Sequence, residues 1–179
     1  FPYTTLFRSG VGLIESAGSF MTELERDGLL NRSVEYLPSD KQLGEMRAAY
    51  QGFTRPELAV LMAYSKLSLF DELQQSALLD APYFEGDLLR YFPKDMQKSF
   101  VADMRAHRLR REIVATMITN SIVNRTGITF AYELMRETGL GAADIAQAYV
   151  VTRDAFKLRE MWADIEALDG VIDAGVQAE

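Results

Sequence analysis

His107 is the only histidine in the chain, and histidine is the usual general base near neutral pH. A Ser-His-Asp triad would therefore have to use it. Its neighbours are basic, however, and positive charge disfavours the imidazolium ion that such catalysis forms. These neighbours are Arg105, Arg108, Arg110 and Arg111. We interpret His107 as a structural or surface residue rather than a catalytic one.

The sequence contains no pattern of metal ligands. It has no cysteine, which excludes disulfides and thiolate metal sites. A two-metal carboxylate bundle needs Glu-x-x-His pairs, and Met104 occupies the position three residues before His107. We interpret the acidic residues Asp71, Glu72 and Asp87 as solvated helix faces. The sequence therefore predicts no metal-binding residue and no catalytic residue.

Glycine pairs occur at Gly10-x-Gly12 and Gly139-x-Gly141. A dinucleotide site needs a strand, then a glycine turn, then a helix. The second pair follows a helical pattern and lacks a third glycine, and the first lies partly in the opening segment. We therefore expect no cofactor-binding residue in this chain.

Two features could in principle bind nucleic acid. Three arginines share a helical face, but Asp103 and Glu112 lie beside them, so we favour ion pairs within a bundle. The segment from Thr138 to Trp162 has the outline of a helix-turn-helix, but its charges balance and the whole chain carries −7. Binding to phosphates needs excess positive charge, so we predict no nucleic-acid partner.

Most of these residues must be positioned by the stretch from Lys94 to Asn124, the longest one without Gly or Pro. It predicts a long central helix at about 94–125, with Pro93 in its first turn and Gly127 after its end. Beside its apolar face runs a polar row: Arg108, Glu112, Thr116, Asn120 and Asn124. We expect this row to be structural and hydrogen-bonded wherever it is buried.

The rest of the chain also has helical spacing. Capping boxes at Ser39-x-x-Gln42 and Thr54-x-x-Glu57 open two helices, and Gly139 and Gly141 mark a turn. No strand-like alternation is visible. We predict an all-α fold, an irregular bundle of about seven or eight helices around the long central one.

The composition is that of an ordinary globular protein, with 48% hydrophobic and 25% charged residues. No apolar run approaches the roughly 20 residues that span a bilayer, so we expect no membrane association. We interpret residues 1–10 as a non-native leader, 11–174 as one helical domain and 175–179 as a frayed tail.

Five segments, in order along the chain, carry a family resemblance. They are NRSVEYLPSD (31–40), TRPELAVLMAYSKL (54–67), DLLRYFPKDM (87–96), HRLRREIVATMITNSIVNRTGITF (107–130) and LREMWADIEALDG (158–170). Together they resemble the C-terminal region of the large bacterial NAD-dependent glutamate dehydrogenases. The resemblance extends from about Asn31 to Gln177.

The resemblance implies a cytoplasmic, homo-oligomeric enzyme that oxidatively deaminates L-glutamate to 2-oxoglutarate and ammonium with NAD. In that family the catalytic lysines and the nucleotide-binding fold belong to an earlier region, so no site residue is carried over. This chain would then be an inactive accessory domain whose partner is the catalytic region or a neighbouring subunit. The alternative is a free-standing helical interaction or regulatory module. The reading frame upstream of the chain would distinguish the two.

One aromatic stretch is a candidate docking surface: Tyr83, Phe84, Tyr91, Phe92 and Met96. Such side chains are typical anchors at protein interfaces. The other interpretation is that they cover one end of the central helix as part of the core. Both interpretations are open at this point.

Overall fold

The computed structural model describes residues 10–172, and all regular structure in this part of the chain is helical. The predicted all-α fold is confirmed. The α-helices are α1 (Gly10–Arg26), α2 (Asp40–Ala48), α3 (Arg55–Gln74), α4 (Glu85–Tyr91), α5 (Met96–Ser99), α6 (Val101–Arg105), α7 (Arg110–Thr126), α8 (Phe130–Thr138), α9 (Ala142–Ala155) and α10 (Leu158–Glu166). Two 3₁₀ turns, Ala77–Asp80 and Pro82–Phe84, connect α3 to α4.

The backbone divides into two compact units. Among the described residues, one unit comprises those up to Leu61 together with those from Val151 onwards, and the other comprises Met62–Val150. Helices α3 and α9 each contribute residues to both. The interpretation of 11–174 as a single domain stays a prediction. Residues 1–9 and 173–179, which include most of the leader and all of the tail, lie outside the described part.

In the first unit, α1 packs against α2. The buried side of α1 has the predicted helical spacing, with Ala17, Phe20, Met21 and Leu24 in the core. Gly18 lies in the contact between the two helices, where an added Cβ would be only 3.2 Å from Leu43 Cδ1. This glycine permits close packing of α1 against α2.

Both predicted capping boxes are present. The Gln42 side chain accepts from the Ser39 backbone N–H at 2.9 Å, and Ser39 Oγ accepts from the Gln42 N–H at 3.4 Å. Glu57 and Thr54 make the same exchange at 2.6 and 3.5 Å. These bonds satisfy backbone N–H groups that have no partner within their own helix, which fixes where α2 and α3 begin.

In the second unit, α4 packs against both α6 and α7. Helix α7 contributes six residues to the core: Ile113, Val114, Ala115, Ile118, Ile122 and Val123. It is tied to α9 by the Tyr149 hydroxyl, which donates to the Ser121 backbone oxygen at 2.9 Å. As predicted, Gly127 and Gly139 end α7 and α8, and both have positive φ.

The predicted single helix at about 94–125 is wrong. Three helices, α5, α6 and α7, occupy that stretch, and breaks occur at Phe100 and across residues 106–109. In one continuous helix, Arg105, Arg108 and Arg111 would stack at three-residue steps, and like charges at that spacing repel. Because of the breaks, both α6 and α7 pack against α4. The estimate of seven or eight helices was low for this reason.

Candidate functional site

His107 lies in the exposed break between α6 and α7. Its Nδ1 accepts a hydrogen bond from the Leu109 backbone N–H at 3.1 Å. The imidazole also meets the Phe92 ring edge-on, with 5.7 Å between the ring centroids. Both contacts stabilise the local turn, so the geometry gives His107 a structural role.

The arginines around this break form ion pairs within the second unit, as favoured from the sequence. Arg105 Nη2 lies 2.6 Å from Glu85 Oε1, and this hydrogen bond raises the pKa of the guanidinium above its ordinary value. Arg110 and Arg111 both pair with Asp80. Asp80 thus joins the N-terminus of α7 to the turn that follows α3.

Arg111 has a second function in this junction. Its Nη2 donates to the backbone oxygens of Gln74 and Ser76, at 3.0 and 2.9 Å. These carbonyls lie at the C-terminal end of α3 and just beyond it, where helix oxygens have no partner in their own helix. The Arg111 side chain therefore caps the C-terminal end of α3, although its backbone lies in the first turn of α7.

No residue of the predicted polar row is fully buried, and Arg108 lies in the break before α7. Arg108, Glu112 and Thr116 are exposed, and Asn120 and Asn124 are half-buried. Thr116 Oγ1 donates to the Glu112 backbone oxygen at 2.7 Å, which is a contact within α7. Within the described part of the chain, the side chains of Asn120 and Asn124 bond to no other residue. A structural role for the row therefore stays a prediction.

Asp87 also departs from the sequence interpretation. It was expected on a solvated face, but it is buried at 3% exposure. Its carboxylate lies 3.4 Å from Arg90 Nη2, one turn further along α4. A buried carboxylate needs a nearby positive charge to offset the loss of hydration. Its acidic character alone predicted an exposed position, because the Arg90 contact is not visible in the composition.

The predicted aromatic stretch is partly core and partly surface. Phe84 is only 2% exposed and belongs to the core. Tyr83, Tyr91 and Met96 are exposed, at 55%, 54% and 41%, and Phe100 joins them at 50%. We call these four exposed residues the aromatic surface: Tyr83, Tyr91, Met96 and Phe100.

The aromatic surface rests on supporting contacts beneath it. The rings of Tyr91 and Phe92 meet edge-on at 5.3 Å, and Phe92 in turn contacts His107. Gln97 Nε2 donates to the Phe92 backbone oxygen at 2.7 Å. These contacts fix the segment after α4 in place, so its exposed side chains are presented by an ordered backbone.

A cavity of about 350 Å³ lies in the first unit. Its wall combines two carboxylates, Glu45 and Glu57, with apolar Leu37 and Met46 and the ring of Tyr36. Tyr36 holds a left-handed backbone with φ 55°. The Glu57 carboxylate already accepts a hydrogen bond from the Thr54 backbone N–H, so one of its oxygens is used by the capping box of α3.

A buried arginine in the first unit was missed by the sequence reasoning. Arg32 is 7% exposed and donates to Asp40 Oδ1 at 2.6 Å and to Thr22 Oγ1 at 2.8 Å. Its Nε lies 2.9 Å from Glu25 Oε2 but is poorly aligned for a hydrogen bond, so charge holds that pair. Arg32 thereby joins α1 to the start of α2.

The glycine turn before α9 does not fit a dinucleotide. It follows helix α8 rather than a strand. The Gly141 backbone N–H donates to the Asp144 side chain at 3.3 Å. A carboxylate thus lies where a pyrophosphate would bind, and the two negative charges would repel.

Two further kinds of site are absent from the described residues. Within 10–172, no three His, Asp or Glu side chains are grouped as metal ligands. No helix in this part of the chain combines the length and apolar character needed to cross a membrane. The expectation that this chain holds no catalytic, cofactor or metal residue stays a prediction.

The comparisons with known proteins agree with one another. The family model "Glutamate dehydrogenase, C-terminal" matches residues 50–179. An NAD-specific glutamate dehydrogenase of Pseudomonas aeruginosa is 45% identical over 157 residues, which is 88% of this chain and 10% of that protein. The enzyme of the same name from Halomonas elongata is 42% identical over 172 residues, or 96% of this chain and 10% of that protein.

A third relative has the same name. The NAD-specific glutamate dehydrogenase of Mycobacterium tuberculosis is 40% identical over 138 residues, which is 77% of this chain and 8% of that protein. The chain therefore spans about a tenth of the length of the curated relatives it matches.

Proposed function

Because this chain belongs to the glutamate dehydrogenase C-terminal family, we propose that it is the helical accessory domain of an NAD-dependent glutamate dehydrogenase. The whole enzyme would oxidatively deaminate L-glutamate to 2-oxoglutarate and ammonium in the cytoplasm. The role of this chain within it is structural: it supports assembly rather than chemistry.

The observation that carries the proposal is the match along the chain. Identity of 40–45% extends over 77–88% of the chain in two relatives with the same name, from Pseudomonas and Mycobacterium. Identity at this level over a whole folded region indicates a shared fold and a shared place in the parent protein. A single short motif could not support as much.

NAD binding and chemistry belong, in this proposal, to the part of the enzyme outside this chain. A dinucleotide fold is built on parallel strands, whereas the described residues form helices and turns. The one glycine turn that opens a helix of the second unit already has the Asp144 carboxylate on its backbone.

The aromatic surface is the proposed contact with the catalytic region or with a neighbouring subunit of a homo-oligomer. Its four side chains are 41–55% exposed and lie within 18 residues of one another in the sequence. Exposed tyrosine, phenylalanine and methionine are enriched where proteins meet. Docking would bury apolar surface, and each Å² removed from water would stabilise the complex by about 25 cal/mol.

The function is tested by comparing the isolated chain with the intact enzyme. We expect the intact enzyme to form NADH from NAD in the presence of L-glutamate, and the purified chain to do neither this nor bind NAD. Isothermal titration calorimetry of the chain with NAD, alongside the spectrophotometric assay, measures both. Saturable one-to-one NAD binding to the chain would contradict the accessory role. An intact enzyme inactive on glutamate would contradict the assigned reaction.

A further inference from the structure

Helix α10 carries an apolar stripe that the described residues leave uncovered. Met161, Ile165 and Leu168 follow the three- and four-residue spacing of one helical face, and they are 47%, 51% and 40% exposed. Leu158 and Trp162, on the same stripe, are half-buried. No residue of α10 is buried. The exposed part of the stripe therefore consists of Met161, Ile165 and Leu168.

Helix α10 is short, and its N-terminus lacks a side-chain cap. It is nine residues long, and isolated helices of that length are marginal in water. Its N-cap residue, Lys157, has a left-handed backbone and provides no side-chain hydrogen bond to the helix. A short helix with a weak cap is stabilised chiefly by packing of its apolar face. The face of α10 therefore requires a partner.

The apolar character continues beyond both ends of the helix. Phe156, just before it, is 73% exposed, and Val171, just after it, is 74% exposed. Exposed apolar side chains thus occur on both sides of α10 as well as on it. Monomeric proteins rarely leave contiguous apolar surface of this kind without a binding role.

We propose that this stripe docks in an apolar groove in the part of the same enzyme that precedes this chain. The inference rests on the proposed function and adds the segment through which the domain attaches. The length of the relatives supports this occupant, because about nine-tenths of each relative lies outside the matched region. A groove on the same polypeptide is present to the stripe at an effective concentration in the millimolar range. A second copy of the chain at micromolar concentration is about a thousandfold less available as a partner.

Charge favours the same occupant over a second copy of this chain. Each copy carries −7, so two copies repel at low ionic strength. Glu160 and Asp164 flank the stripe on the exposed side of α10. A groove with basic residues at its rim would complement these carboxylates and set the register of the helix.

Hydrogen–deuterium exchange of the intact enzyme tests the proposal. The variant Ile165→Glu places a charge in the middle of the stripe. Ala163→Glu places the same charge on the opposite, exposed face of the same helix and is the matched control. Met161→Ser is a second, milder change in the stripe. None of these positions is buried, so each variant should fold.

We expect the α10 amides to be protected in the unmodified enzyme. Ile165→Glu should speed their exchange at least tenfold, together with that of one segment in the preceding part of the enzyme, and Met161→Ser should do so to a lesser degree. Ala163→Glu should change both by less than about twofold.

Three results would overturn the proposal. In the first, α10 of the unmodified enzyme exchanges as fast as an unfolded peptide. In the second, Ile165→Glu and Ala163→Glu behave alike. In the third, protection depends on protein concentration and Ile165→Glu lowers the particle mass, which identifies a second copy as the occupant. A separate glutamate assay on the same samples reports on the proposed function, so the two can fail independently.

Discussion

A single arginine illustrates what sequence spacing conveys about individual residues and what it omits. Arg32 lies in a segment that the sequence identifies only as a connector between α1 and α2. The structure buries it against partners eight residues ahead and ten residues behind it, Asp40 and Thr22. No helical period links such positions, so their contact depends on how the two helices pack. Charged residues in loops are ordinarily solvated, and nothing local marks this exception.

Replacing this arginine should destabilise the first unit. Arg32→Met removes the hydrogen bonds to Asp40 and Thr22 and leaves Glu25 without its cation, which should lower the free energy of unfolding by about 2 kcal/mol. Urea unfolding of the purified chain measures the change.

The matched control is the same substitution at an exposed ion pair. Arg47 pairs with Glu15 at 2.6 Å, but both side chains are more than half exposed. Arg47→Met should therefore cost less than about 1 kcal/mol. Equal losses in the two variants would show that burial of Arg32 adds nothing to stability.

At the scale of helices, the sequence predicted most boundaries and misjudged one stretch. Capping boxes and glycine stops are local signals, so the starts of α2 and α3 and the ends of α7 and α8 were predictable. The stretch from 94 to 125 contains no Gly or Pro, and its breaks arise from packing on α4 and from arginine pairing with Asp80 and Glu85. Contacts far apart in sequence decided those boundaries, and periodicity does not report them.

The division of the aromatic stretch into core and surface leads to a prediction at this scale. Phe84→Ala should leave a cavity beside α4 and lower the free energy of unfolding by about 3 kcal/mol. Tyr83→Ala, one residue earlier but 55% exposed, should change it by less than about 1 kcal/mol. Thermal melting of the two variants compares them directly. A large loss in Tyr83→Ala would place that ring in the core and remove it from the aromatic surface.

For the whole molecule, the resemblance in the sequence was more informative than any spacing. It indicated the family, which the comparisons show, and the fold class followed from helical periodicity. The candidate contact surfaces were only partly predictable. An apolar stripe such as that of α10 has the same spacing whether it is buried or exposed, so exposure had to come from the structure.

The central claim is that this chain supports assembly of a glutamate dehydrogenase. Sedimentation velocity of the intact enzyme, with and without the predicted helical domain at residues 11–174, tests it most directly. We predict that the truncated enzyme sediments as smaller species and loses at least tenfold in kcat/KM for glutamate, since an interface of this kind contributes several kcal/mol to assembly. A truncated enzyme that keeps both the sedimentation coefficient and the kcat/KM of the intact one would contradict the account.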